Sequence, residues 1–254
     1  MPAATLARLV LLEARRGGLP WLGLGFIAMG LVLAAFFSQV AVTESNALQA
    51  ALVAAVLRAG AVYLIAAQVA GSTLREIHDK ALELALSLPL SRLAQYLGRL
   101  AGFAACAAAL AAAFALPLLL WAPVGAVALW ALSLFLECIL VAAASLFFAM
   151  ALGQLVPAVA CVAGLYLLGR SVSAIQAMAA ASPLAGASLT HEAARWSVDA
   201  VAFLLPRLDT VTRTEWLLYG PPTSSAYLGA MAGLALYVLL LVAAGLFDFY
   251  RRNV

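Results

Sequence analysis

The chain has 254 residues, of which 67% are hydrophobic and only 10% charged, with a net charge of +3. Soluble globular domains carry charge at about 25% of positions, so that class is excluded, and the lack of regular apolar/polar alternation excludes a membrane β-barrel. At roughly 20 apolar residues per crossing, six helical spans fit with little left over. The expected fold class is an all-α polytopic membrane protein, a single transmembrane domain over residues 1–254.

Residues 5–16, TLARLVLLEARR, read as an amphipathic helix at the membrane surface. Thr5 is its expected N-cap. Leu6, Leu9 and Val10 form the apolar face, with Arg8, Glu13, Arg15 and Arg16 towards water. Gly17, Gly18 and Pro20 allow the chain to turn inwards. The apolar run that follows is longer than the core of a signal peptide and lacks a convincing small-residue cleavage site, so it reads as a retained first span at about 20–42.

A polar turn at Thr43–Asn46 leads into a second span at about 47–71, and a loop over 72–96 into a third at about 97–121. The fourth span covers about 126–151 and ends at Gly153; the fifth runs to about 178. An outer helical region over 179–222 precedes the sixth span at about 224–247. Within that region Ser182-Pro183 has the form of a helix start, and residues 190–205 form an amphipathic helix that stops before Pro206. Thr212 and Glu215 have capping-box spacing, with Gly220-Pro221-Pro222 as terminator.

Six spans place both termini and the 72–99 segment on one side, which carries nine of the fourteen Lys and Arg residues; the other side carries three, and Arg58 and Arg170 lie within spans. The positive-inside bias makes the richer side cytoplasmic. Cys106, Cys138 and Cys161 sit in apolar runs without disulfide or zinc spacing.

The polar loop STLREIHDKALELALSLPLSR stands out in so apolar a chain. Leu74, Ile77, Ala81, Leu84 and Leu88 recur every three or four residues, one stripe of a helix. Glu76 and Lys80 form an i,i+4 pair in the favourable order, Arg75 and Asp79 the weaker reverse. Pro89 ends that helix, and Ser91 can cap a new one running through Tyr96 into the third span. A charged helix of this length between two spans implies a partner in the aqueous phase.

The stretch REIHDKALELALSLPLSRLAQYLGR resembles the loop between the second and third spans of type-2 (ABC-2 type) ABC transporter permeases. Arg75, Glu76, Leu82, Glu83, Leu84, Pro89, Ser91, Arg92, Tyr96, Gly98 and Arg99 fall on that family's pattern. Ala81 replaces the frequent threonine, and Arg99 stands where lysine is common. The N-terminal Glu13–Arg16 segment, the six spans and the LLPRLD stretch agree in layout, whereas FDFYRRNV departs from the commoner ending.

The resemblance implies a coupling helix seated on a separate ATPase subunit, with Arg75, Glu76, His78, Asp79, Lys80, Leu82, Glu83, Leu84, Pro89, Ser91 and Arg92 as the coupling residues. It further implies two permease copies, a homodimer in the simplest case, and ATP and magnesium held by the ATPase, none by this chain. The inner membrane, with both termini cytoplasmic, is the expected location. Membrane lipid and a periplasmic protein are the other expected partners, and nucleic acid is not one. The alternative is a membrane protein not driven by ATP, a secondary transporter or an assembly scaffold.

Arg58, Glu137 and Arg170 fall inside spans, where a lone charge costs at least about 2.5–3.5 kcal/mol, so each requires a partner or water. Arg58 and Glu137 both lie about 10 residues, roughly 15 Å, below the outer face and are expected to pair, with Arg170 competing for Glu137. The pair either braces the bundle or lines a polar substrate path. His191-Glu192 lacks the second histidine of a zinc-protease motif, no phosphate-binding glycine loop is present, and no cluster of ionisable residues marks an enzyme.

Overall fold

The computed structural model describes residues 2–40, 45–79, 91–181, 189–211, 217 and 224–251. Among them every regular element is helical: α1 (Pro2–Arg16), α2 (Leu19–Val40), α3 (Ser45–His78), α4 (Arg92–Leu118), α5 (Val124–Leu152), α6 (Leu155–Ala181), α7 (Leu189–Leu204), a 3-10 turn (Leu208–Thr210) and α8 (Ser224–Arg251). Six of these, α2 to α6 and α8, are long and apolar enough to cross a membrane. The expected all-α, multi-pass membrane fold is the one found.

The bundle is built around α5, which packs against α3, α4, α6 and α8. Its sequence is apolar on every side, as befits a helix surrounded by others: 67% of its spanning window is buried, against 11% for α8. Ala142, Ala143, Ala144 and Ser145, all buried, let the neighbouring helices approach closely. Pro123 opens α5, and Gly153, left-handed at φ 66°, closes it by donating its N–H to the Ala149 carbonyl.

The boundaries differ from expectation where packing outweighs local pattern. The second span does not end near residue 71; α3 continues unbroken to His78. Leu74 and Ile77 remain on the bundle side, against Ala149, Ala158, Phe148 and Val159. The first part of the loop's apolar stripe is therefore interior surface. Ser91 caps α4 as expected, its hydroxyl accepting from the Ala94 N–H at 3.3 Å.

The amphipathic helix α1 starts at Pro2, a favourable first helical residue, so Thr5 lies inside it and is not its cap. Its inward stripe is made of small residues. Val10 and Ala14 are buried, and Gly102 of α4 lies so close that an added Cβ would come 2.7 Å from Val10 Cβ and 3.0 Å from Ala7 Cα. Leu9 and Leu12, 57% and 49% exposed, point away from the bundle. Of the expected apolar face, Val10 therefore packs into the bundle while Leu9 points away from it.

Candidate functional site

Two polar assemblies sit in this apolar framework, one at mid-membrane and one at the end that carries both termini. At mid-membrane, Arg58 is 13 residues into α3 from Ser45 and Glu137 is 13 into α5 from Val124, each about 20 Å along its helix. Arg58 Nη1 donates to Glu137 Oε2 at 2.5 Å and Nη2 donates to Ser133 Oγ at 3.1 Å. The Ser133 hydroxyl in turn donates to the Trp130 carbonyl, and the Arg58 guanidinium lies 5.3 Å from the centre of the Trp130 ring.

Arg170 of α6 approaches the other oxygen, Glu137 Oε1, at 3.7 Å and donates to the Tyr166 hydroxyl at 3.1 Å. Arg58 and Glu137 are almost wholly buried, whereas the Arg170 side chain is 36% exposed. The expected pair and its competitor are both present. One carboxylate thus serves two guanidiniums, tightly towards α3 and loosely towards α6. With both partners charged, the pair avoids most of the insertion cost of isolated ions.

At the terminal end, the Ser72 hydroxyl donates to Glu13 Oε2 at 2.6 Å and Arg75 Nη2 lies 3.1 Å from Glu13 Oε1. Arg99, almost buried on α4, holds Glu76 of α3 at 2.7 Å. Arg92 Nη1 donates to the carbonyls of Phe249 and Tyr250 at 3.2 and 3.1 Å, satisfying open acceptors in the last turn of α8. The Tyr96 ring packs 6.2 Å from that of Phe249. His78 Nδ1 lies 2.7 Å from the Leu74 carbonyl, and His78 and Asp79 are exposed.

These contacts correct two expectations. Glu13 faces Ser72 and Arg75 rather than open water, because packing of α1 on α4 places it beside the end of α3. Arg75 is engaged across the bundle, to Glu13, where i,i+4 pairing with Asp79 was expected, and Glu76 is held by Arg99. Lys80, Leu82, Glu83, Leu84 and Pro89 lie outside the described residues.

On the distal side, away from the termini, α7 over Leu189–Leu204 matches the helix expected at 190–205. Leu208 and Val211 are fully buried in a cluster with Leu140 and Leu234 and beside Tyr166, so the chain after α7 packs among α5, α6 and α8. Tyr237 donates to the Leu204 carbonyl at 3.1 Å, and Gln176 donates to Asp199 at 3.0 Å. The expected caps at Ser182-Pro183, Thr212 and Glu215 and the stop at Gly220-Pro221-Pro222 lie outside the described residues.

Sequence reasoning did not identify Ser133, Trp130 and Tyr166 as partners of the intramembrane charges. A signal was available: Ser133 precedes Glu137 by four residues and Tyr166 precedes Arg170 by four, which puts each on its partner's helix face. Among the described residues, no three His, Cys, Asp or Glu side chains converge as metal ligands do. No protein-family model matches the chain, and no curated protein matches it significantly.

Proposed function

We propose that this chain is the membrane-spanning permease subunit of a type-2 ABC transporter, an exporter driven by separate ATPase subunits. The observation that carries the reading is how the two flanks of the 80–90 segment are tied into the bundle. Before it, Arg75 and Glu76 engage α1 and α4; after it, Ser91 caps α4 and Arg92 holds the last turn of α8. A push on that segment from the aqueous phase reaches α1, α3, α4 and α8 at once. A loop that only joined two spans would have no need of such anchorage.

In this reading two copies of the chain work with two ATPase subunits, which hold ATP and magnesium, in the inner membrane with both termini cytoplasmic. The bias of nine basic residues to the terminal side supports that orientation. Closure of the ATPases displaces the 80–90 segment and with it α3 and α4. The short Arg58–Glu137 contact keeps α3 and α5 together, while the 3.7 Å contact to Arg170 yields as α6 moves. The distal segment from α7 to Val211 gates the external side.

Co-purification with a nucleotide-binding subunit tests the reading. The wild-type chain is expected to retain that subunit, and the double substitution Glu83→Lys, Leu84→Ser to lose it. Arg92→Ala is expected to keep the subunit but to separate ATP hydrolysis from movement of α8. Retention of the subunit unchanged by the double substitution would overturn the coupling role, and a chain that captures no such subunit is not a permease of this kind.

A further inference from the structure

A groove of about 1050 Å³ runs along α8 beneath the segment that follows α7. Its walls are mostly apolar, and several face outwards: Phe203, Leu204, Leu236 and Leu240 are all more than half exposed. Apart from Tyr237, whose hydroxyl is spent on the Leu204 carbonyl, the exceptions lie together. Arg207 and Thr210 line it from the distal segment, and the Thr210 hydroxyl is spent on the Arg207 carbonyl at 2.8 Å. Arg207 is exposed, and among the described residues no carboxylate lies within ion-pair distance of it. Asp209 turns its Oδ1 inwards, where it is buried.

Depth makes that cation informative. Leu208 packs beside Leu234, ten residues or about 15 Å along α8. A helix of 28 residues, about 42 Å, overhangs a hydrocarbon core of about 30 Å by about 6 Å at each end when centred. Arg207 therefore starts about 9 Å inside the hydrocarbon boundary, and its long side chain must reach back to headgroup level. Beyond Leu234 the groove continues for ten more residues to Ala244, another 15 Å or so, about one leaflet's depth of hydrocarbon.

We propose that this groove is a selective site for one anionic phospholipid of the surrounding bilayer, its phosphate on Arg207 and an acyl chain laid along Leu236, Leu240 and Ala244. A membrane-spanning helix from a second copy fits the charge less well. The spans of this chain carry one carboxylate away from the terminal side, Glu137, and it is buried on Arg58. The proposal requires only that the chain spans a bilayer and is independent of any ATPase partner.

Gly229 and Gly233 line the groove, and a Cβ at either meets nothing within 4 Å, so a side chain added there starts into open space. The test uses the full chain in nanodiscs containing a diazirine-acyl phosphatidylglycerol or the matching phosphatidylcholine, with labelled peptides mapped after irradiation. Labelling of α8 at 236–244 is expected to favour phosphatidylglycerol about fivefold, the effect of one basic side chain on an anionic lipid. Arg207→Gln should bring the two lipids to parity, while Gly233→Phe should reduce both to the level seen at the lipid-facing Leu239. Gly229→Leu serves as a second filling variant should Gly233→Phe fold poorly. Equal labelling by the two lipids in the wild type, labelling that survives both filled grooves, or a Gly233→Cys chain that cross-links to a second copy in the membrane would each overturn the proposal.

Discussion

Arg58 Nη1 and Glu137 Oε2 meet 2.5 Å apart at the middle of the membrane-spanning bundle, although 79 residues separate them in sequence. Their surroundings differ in what remains when either is lost. Glu137→Gln strands Arg58 and leaves Arg170 without its acid, whereas Arg58→Gln leaves Glu137 with Arg170 at 3.7 Å. Glu137→Gln is expected to cost about 3–5 kcal/mol, and Arg58→Gln less. Thermal unfolding of the purified variants measures both, and equal losses would contradict the shared-carboxylate arrangement. The charge swap Arg58→Glu with Glu137→Arg should recover part of the assembly that each single reversal loses.

The crossing of α1 over α4 depends on Gly102. Gly102→Ala places a methyl 2.7 Å from Val10 Cβ, so overpacking should cost about 1–3 kcal/mol and lift α1 off. Gly71→Ala is the control, because a Cβ there meets nothing within 4 Å and alanine favours a helix by about 0.5–1 kcal/mol. Cysteine cross-linking between the two helices should fall for the first variant and stay level for the second.

Arg92 closes the last turn of α8 through two carbonyls. Arg92→Ala should leave those acceptors open and speed amide hydrogen exchange in residues 246–251, with little change in α5. Hydrogen bonds from a charged donor contribute about 1.5–3 kcal/mol, so about tenfold faster exchange is the expected scale. No change at 246–251 would mean that Arg92 does not hold the helix end.

The two ion pairs at the terminal end should differ in weight. Arg75 is 61% exposed at its side chain, so Arg75→Gln should cost at most about 1 kcal/mol. Arg99 is 9% exposed, and Glu76→Gln would leave it with a buried charge, at a cost of about 3 kcal/mol. Denaturation of the two variants side by side compares them directly; a larger loss from Arg75→Gln would reverse the ranking.

How far the chain could be read from its sequence follows the range of the interactions. Ser91 as a cap, Gly153 as a stop and α7 ending before Pro206 are local, set by residues within a turn of the boundary. The pairing of Arg58 with Glu137 was legible because a bilayer penalises a lone charge and the two lie at similar depth. The continuation of α3 past residue 71 was not legible, because polar Ser72 and Thr73 look like an exit from the membrane. Only the packing of Leu74 and Ile77 on Ala149 and Ala158 keeps that turn helical and buried.

By itself the sequence determined the class, the six spans and most helix ends, because hydrocarbon leaves an unpaired backbone no alternative to the helix. Only the tertiary structure decided which charges meet. Glu13 reaches Ser72 and Arg75 because α1 lies across α4; Glu76 meets Arg99 of α4; Arg92 reaches the end of α8. A side chain on one helix face can meet any neighbour at the same depth, and helix packing selects which one.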